Sequence, residues 1–523
     1  MTSDVTFEIK YINAFEVKKH IDNLNAHKSV GLDCIGPRVL KYSGDYITSA
    51  ITSIINSCID KNIFPELFKH ACVIPIHKGG DKNDPHNYRP ISILPTLSKV
   101  FERHISNQLQ DYFEKNKLIH EFQSGFRKNH SCHTALTHLI DSWLKDIDSG
   151  KYIGAVFLYL RKAFDLVDHT ILLHKLKLYH FSENSVALFS SYLSNRKQLV
   201  KVKNEMSNML PITSGVPQGS ILGPLLFLLY INDISLYSHT GKTDLYADDT
   251  TLHEAGYDTK IIESNLQVRL SSINDWCKIN NMALHPQKTK CMIIGSKHNI
   301  RKGHQLKLSI DNLHIENVTS QKVLGVIVDN TLSWNLQVNS VRAKVNSKIN
   351  LLKRISFYLS HDMKVLFYNA YIMSTFDYCC TVWGGISRIQ NTVLKSQKRV
   401  ARLILNKPLR TSSKSMFSEL QWLTFEQRYY YFNALLVFKS KHNLTPNYIR
   451  NLVSYAHNER YQLRSASKND LNNIKSNTNN LKTSFSYNGA KIWNCLPINI
   501  KTISNLQSFK YQCKRHFLQA SQL

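Results

Sequence analysis

Apolar residues recur at three- and four-residue steps through Val341, Val345, Ile349, Leu352, Ile355 and Leu359, the period of a helix with one packed face. Arg342, Lys344, Lys348, Lys353 and Arg354 fall between them, so the opposite face is cationic. The same reading predicts helices over residues 96–115, 132–149, 262–279, 392–406 and 425–441. Further helical patterns cover residues 47–68 and a segment that starts near Ala14 and leads into the turn-rich stretch 28–33. Short β-prone runs predict strands at 72–76, 152–160, 291–294 and 323–328. A Gly/Pro loop at 215–220 opens a helix that should reach about Leu236. The Asn-rich stretch 469–480 reads as a linker, and no internal repeat is visible.

Two adjacent acids, Asp248 and Asp249, sit between β-prone flanks, which predicts the tip of a β-hairpin. Two carboxylates held side by side repel each other unless a cation lies between them. The usual cation is Mg²⁺, a hard ion that takes oxygen ligands; Mn²⁺ is the alternative. A hairpin of this kind beside a nucleotide's phosphates is a polymerase device, and it ordinarily uses a third carboxylate from a neighbouring strand.

Charge adds a second clue. The 523 residues hold 66 Lys plus Arg against 38 Asp plus Glu, a net charge of +28. From Asn335 to Leu523 there are 28 basic and 6 acidic residues, hence +22, which leaves +6 for the rest. No acid occurs between Asp377 and Glu419. Most of the attraction for a polyanion therefore lies in the C-terminal third. The length allows about two to four domains and at least one large core. None of the ten cysteines forms a CxxC pair, and we read them as reduced core thiols of an intracellular protein. Residues 1–8 carry acids and no apolar core of a secretory signal, and the longest apolar run, 221–231, is too short to span a bilayer, so no membrane partner is expected.

Eight ordered segments now resemble one family. They are residues 28–33, Asn87-Tyr88-Arg89-Pro90-Ile91-Ser92, Gln123-Ser124-Gly125-Phe126-Arg127, Lys162-Ala163-Phe164-Asp165, Gly215-Val216-Pro217-Gln218-Gly219-Ser220, Tyr246-Ala247-Asp248-Asp249, Lys288-Thr289 and Leu324-Gly325-Val326. Together they are similar to the blocks of non-LTR retrotransposon reverse transcriptases, with the jockey/CR1-like branch nearest in flavour. The stretches around Tyr378-Cys379-Cys380 and Gly489-Ala490-Lys491-Ile492-Trp493 resemble the tails of such elements more loosely.

The resemblance implies an α+β right-hand polymerase: fingers, an α/β palm with an antiparallel sheet, a helical thumb, and a basic, mainly helical C-terminal region. The corresponding segments would be 1–140 for an N-terminal extension and fingers, 141–334 for the palm, 335–410 for the thumb and 411–523 for the C-terminal region. It implies a nucleotidyltransferase that copies RNA into DNA, with an RNA template, a DNA primer or target, the RNA–DNA hybrid and dNTPs as partners, and work in the nucleus or cytoplasm. Only about 27 residues precede the first block. An upstream endonuclease of the family's type is thus not expected within this chain.

Carried over by residue, Asp248 and Asp249 would hold two Mg²⁺ that activate the primer 3′-OH and neutralise pyrophosphate. Lys288 would protonate pyrophosphate. Lys78 and Arg89 would grip the triphosphate, with Arg127 a weaker candidate of the same kind. Gln218 and Gly219 would border the incoming nucleotide, and Phe164 would block a ribose 2′-OH.

One departure matters. The family's catalytic aspartate stands six residues before the second Asp of its motif, and here that position is Tyr159. A phenol has a pKa of about 10 and is a poor Mg²⁺ ligand at neutral pH. Losing ~4 kcal/mol of transition-state stabilisation slows a reaction about a thousandfold. Asp165 and Asp168 lie past the strand and are not expected to substitute. Three readings follow: an active RNA-directed DNA polymerase, an inactive relative that keeps RNA or hybrid binding, and a basic interaction protein that merely shares these segments. Tyr159 favours impaired catalysis within the family.

Overall fold

The computed structural model describes residues 5–237, 241–454 and 469–520. Parts of the N-terminal stretch 1–8 and of the C-terminal region 411–523 therefore lie outside the described residues. The chain divides into two compact units. The first comprises Met1–Phe126, Tyr159–His239 and Arg269–His285; the second comprises Arg127–Leu158, Thr240–Val268 and Pro286–Leu523. Both mix helices with sheet.

In the first unit, His70–His77 is the hub of a mixed sheet. It pairs antiparallel with Tyr88–Ile93 and parallel with Arg196–Val202, which in turn pairs with Glu205–Met206 and Leu210–Ile212. The helix Thr96–Lys115 has the bounds its pattern predicts. Phe101 from that helix stacks on Phe64 at 5.2 Å, and Tyr192 meets Phe64 edge-on at 4.9 Å; all three are buried. The strands of residues 196–212 and the helices His169–Leu178 and Glu183–Leu193 were not legible as a pattern. Arg196–Val202 mixes charged and apolar residues, and its backbone partners lie far off in sequence.

The second unit is built on Tyr152–Leu158, a strand buried along its whole length. It lies between Asp249–Gly256 and Lys290–Ile294, both antiparallel to it. Lys242–Tyr246 extends one edge. Glu316–Asn317 extends the other in parallel, so the sheet is mixed rather than wholly antiparallel. Apolar residues on both faces suit a covered central strand. At Gly154 a Cβ would lie 2.4 Å from Ile262, so only glycine lets the helix Thr259–Ile279 approach this closely.

The core joins this strand and the helix Cys132–Asp148 to Trp334, Trp383 and the apolar stripe Val341, Val345, Ile349 and Leu352. That stripe belongs to the helix Asn335–Ile355, as its period predicts. Trp334 opens the helix in a left-handed conformation, φ 63°. Asp329 holds that turn by accepting from the backbone N–H of Trp334 at 2.8 Å and of Ser333 at 2.9 Å.

Two expectations need correction. Residues 323–328 are not one strand: Ser320–Val323 and Val326–Asp329 form a hairpin that reverses at Leu324-Gly325, with φ 45° and 86°. The ten cysteines are free, but Cys34 and Cys495 are exposed rather than in the core. No described helix is long and apolar enough to cross a membrane.

Candidate functional site

The acidic hairpin lies in the second unit. Lys242–Tyr246 and Asp249–Gly256 pair from Lys242↔His253 to Tyr246↔Asp249, leaving Ala247 and Asp248 as a two-residue turn. Ala247 takes φ 55°, a left-handed conformation uncommon for a residue with a Cβ. The strained turn presents both carboxylates at one tip. Burial, and then the like charge of Asp248, push the Asp249 carboxyl up to about 6. The part of that rise due to Asp248 is a repulsion that a cation would relieve.

The hairpin has a buried polar support. Nε2 of His253 lies 2.8 Å from Oδ2 of Asp244, and Nε2 of His138 lies 3.8 Å from its Oδ1. The ring of Trp143 meets His253 edge-on at 5.8 Å. Burial keeps His138 below the ordinary imidazole range, so it adds little positive charge near neutrality. This support was missed in the sequence. Its signal was the alternation that puts Asp244 and His253 on one face of paired strands as diagonal neighbours, Asp244 facing Thr251 and His253 facing Lys242.

The neighbouring strand Tyr152–Leu158 runs to Leu158, which pairs with Thr250, and the next residue in the chain is Tyr159. Lys288 is exposed and stands two residues before Lys290–Ile294. That strand is separated from Asp249–Gly256 by the central strand, a gap of about 10 Å between strand axes. Asp248 and Asp249 supply two oxygen donors suited to a hard cation. No group of three His, Cys, Asp or Glu side chains poised to hold a metal occurs among the described residues.

The other candidates gather in the first unit around Pro217-Gln218-Gly219. The Gln218 side-chain amide donates to Oδ1 of Asp165 at 2.9 Å, and its backbone carbonyl accepts from Ser92 at 2.8 Å. A Cβ on Gly219 would lie 2.2 Å from the Ser92 carbonyl oxygen, and φ there is 139°, so glycine is required. Gly215 and Val216 donate to the carbonyls of Val167 and Phe164 at 2.8 and 2.9 Å. Phe164 stacks on buried Phe227 at 4.3 Å, and Phe126 meets it edge-on at 6.0 Å.

Lys78 and Arg89 are exposed at the loop end of the hairpin formed by His70–His77 and Tyr88–Ile93, where Arg89 pairs with Ile76. Burial raises the Asp165 carboxyl; the Gln218 bond and the charges of Lys162 and Lys78 oppose that rise. Lys78, Asp165 and Gln218 thus share one electrostatic neighbourhood. Arg127 belongs to the second unit. Asp165 is committed to Gln218. Asp168 caps the helix His169–Leu178 and accepts from Asn281 at 3.0 Å.

Glu102 was also missed. It is wholly buried, and its Oε2 accepts from the backbone N–H groups of Ile221 and Leu222 at 2.6 and 3.1 Å, at the start of the helix Gly223–Ile231. Its other oxygen accepts from Ser98 at 2.9 Å. A carboxylate on helix-opening N–H groups complements their dipole, and the positive charge of nearby Arg196 acts the same way. The available signal was an acid on the apolar face of the Thr96–Lys115 pattern, beside Phe101 and Ile105.

Comparison with known proteins converges on one family. Residues 76–328 match the reverse transcriptase (RNA-dependent DNA polymerase) model. The chain is 27% identical over 439 residues to a Drosophila melanogaster protein described as a probable RNA-directed DNA polymerase from transposon BS, covering 81% of this chain and 48% of that protein. It is 29% identical over 412 residues to the RNA-directed DNA polymerase from mobile element jockey of the same species, covering 76% and 43%. A further Drosophila melanogaster relative, described as a probable polymerase from transposon X-element, is 30% identical over 407 residues, covering 74% and 43%. The chain spans under half the length of each of these relatives. It belongs to the reverse transcriptases of non-LTR retrotransposons.

Proposed function

We propose that this chain is the polymerase portion of a non-LTR retrotransposon protein, and that its catalysis is impaired while nucleic-acid binding is kept. One observation carries the reading. The hairpin with the two aspartates pairs with the strand ending at Leu158, and that strand passes directly into Tyr159 instead of an aspartate. Under this reading the sheet of Tyr152–Leu158 is the palm, the helices after Trp334 form the thumb, and the four segments 1–140, 141–334, 335–410 and 411–523 are its working divisions.

Asp248 and Asp249 hold Mg²⁺ or Mn²⁺, which when bound supplies charge stabilisation for nucleotidyl transfer from a dNTP to a primer 3′-OH. The chain's own residues position the substrate. Lys78 and Arg89 neutralise the triphosphate from one hairpin end. Gln218, fixed by Asp165, and the bare backbone at Gly219 form the wall against the nucleotide. Phe164, pinned on Phe227, offers a rigid ring edge beside the sugar. Lys288 serves as a proton donor in this reading. The substrates are an RNA template, a DNA primer or target and dNTPs, with the nucleus as the expected site of action.

The test is primer extension on an RNA template with Mg²⁺, together with binding of an RNA–DNA hybrid. The chain as it stands should bind the hybrid with a steep salt dependence and extend the primer feebly. Tyr159→Asp should raise extension about a thousandfold without altering hybrid affinity. Robust extension by the unaltered chain would overturn the impairment. A hybrid affinity that ignores salt, or no binding at all, would overturn the retained interface.

A further inference from the structure

The helix Asn335–Ile355 ends in a single 3₁₀ turn, Ser356–Tyr358, before the helix His361–Phe367 begins. That turn carries Phe357 at 90% exposure and Tyr358 at 82%. Their rings stand 5.5 Å apart at 90°. Leaving two adjacent large aromatic rings in water forgoes the stabilisation that their burial would give. Nothing in the fold requires it, because the buried stripe of the helix already ends at Leu352.

The surroundings are cationic. Lys353 and Arg354, both exposed, lie one helical turn before the two rings, where i,i+4 neighbours share a face. Lys364 follows on the next helix. From Asn335 to Phe376 there are six Lys or Arg, namely Arg342, Lys344, Lys348, Lys353, Arg354 and Lys364, against one acid, Asp362. Of these, Lys348 is occupied, donating to the Tyr371 carbonyl and to Thr375. Tyr42 and Tyr46 are as exposed as this pair, but Asp45 stands between them, and the cations nearby are engaged: Lys18 pairs with Asp45 at 2.7 Å, Lys41 donates to the Asp22 and Leu24 carbonyls, and Arg38 lies 3.2 Å from His27.

Naked aromatic faces among lysines and arginines suit one kind of occupant. A protein-docking surface is depleted in lysine at its centre. A base-paired duplex hides its ring faces inside the stack. Unpaired nucleotides offer both complementary features, a π-face for each ring and a phosphate for each cation. We propose that Phe357 and Tyr358 form a stacking platform for unpaired nucleotides, with Lys353 and Arg354 holding the flanking phosphates. None of these four residues is among the nucleotide and carboxylate residues described above, so the proposal does not depend on catalytic competence.

The test uses the full chain, a fluorescein-labelled oligo(rU) and an RNA–DNA hybrid, read by anisotropy. Replacing both rings, Phe357→Ala with Tyr358→Ala, should weaken oligo(rU) binding tenfold or more and leave hybrid affinity within about twofold. Phe357→Leu with Tyr358→Leu keeps apolar area without π-faces and should weaken it as much, whereas Phe357→Trp should preserve it. Lys353→Gln with Arg354→Gln should lower the salt dependence of oligo(rU) binding by about one to two counterions. Both rings are solvent-exposed, so thermal melts should not move.

Unchanged oligo(rU) affinity in the alanine pair would overturn the proposal. So would equal loss for hybrid and single strand, which would make this a duplex surface. Full retention by the leucine pair, with a change of oligomeric state by light scattering, would mark a docking face between copies instead. No oligo(rU) binding by the unaltered chain would overturn it too. Loss of hybrid binding in that same protein would separately count against the broader functional reading.

Discussion

The Pro217-Gln218-Gly219 loop and the Asp248-Asp249 hairpin are two solutions to presenting a tight backbone turn, and they differ in redundancy. The loop is held by the Asp165–Gln218 bond, by Ser92 and Gly219 in close approach, by the Gly215 and Val216 amides, and by Glu102 at the helix that follows. Any one of these can weaken while the others keep the shape. The hairpin is held in shape by its ladder, but its chemistry rests on individual carboxylates. A backbone-built surface therefore tolerates change, while a charge-built one is sensitive to a single residue. Under the proposed reading, that difference is how Tyr159 would impair turnover while the framework of a polymerase is kept.

The sharpest way to break that comparison is to restore Asp at position 159 and then remove one element from each region. In the Tyr159→Asp background, Asp248→Asn should cancel the gain in primer extension, about a thousandfold, whereas Gln218→Ala should cost nearer tenfold. Equal losses would show that the two regions are not distinguished by redundancy. The next effect is on stability. Glu102→Ala leaves two helix-opening N–H groups and Ser98 without their acceptor and removes a negative charge near Arg196, and should lower unfolding free energy by about 4 kcal/mol in urea titration. Glu102→Gln keeps one acceptor and should cost about half as much. A loss below about 1 kcal/mol for the alanine variant would remove Glu102 from the loop's support.

Smaller again is the titration of the hairpin. The Asp249 carboxyl is raised to about 6 from an unfolded value near 4, so the folded state holds the proton more tightly across that window. Its contribution to stability is therefore fully present below about pH 4 and is lost as pH rises through about 6. Mg²⁺ at pH 7 should offset the repulsion and raise the melting temperature. Asp249→Asn should flatten the pH dependence between about 4 and 6 and blunt the Mg²⁺ effect. Identical Mg²⁺ shifts in both proteins would mean the cation binds elsewhere. The smallest expected change is Asp165→Ala, about 1 kcal/mol of stability, because the rest of the loop's bonds remain. In the Tyr159→Asp background it should raise the KM for dNTP more than it lowers kcat. A collapse in stability would show that the loop has little redundancy after all.

Several elements were legible because local signals agreed. The helix Phe425–Lys441 is announced by Thr424 and Gln427, which form a capping box, and it ends where the basic residues gather. The helix Asn335–Ile355 follows from its apolar period, and the acidic hairpin from β-prone flanks around a turn. The hairpin at Leu324-Gly325 was not legible as such, because an apolar run reads alike as one strand or as two strands with a turn. The strand Arg196–Val202 was hidden because its parallel partner lies more than a hundred residues away.

The sequence by itself determined the family, the carboxylate pair, the missing aspartate at position 159 and the basic C-terminal third, because each is a matter of residue identity, order or charge. Tertiary structure alone decided that Gln218 is fixed by Asp165, that Glu102 is a buried anchor for the helix behind the loop, that the central strand lies between Lys290–Ile294 and the hairpin strand, and that Phe357 and Tyr358 stand in water. Those facts depend on which distant backbone and side-chain groups meet and on which surfaces remain uncovered, and a linear pattern carries neither.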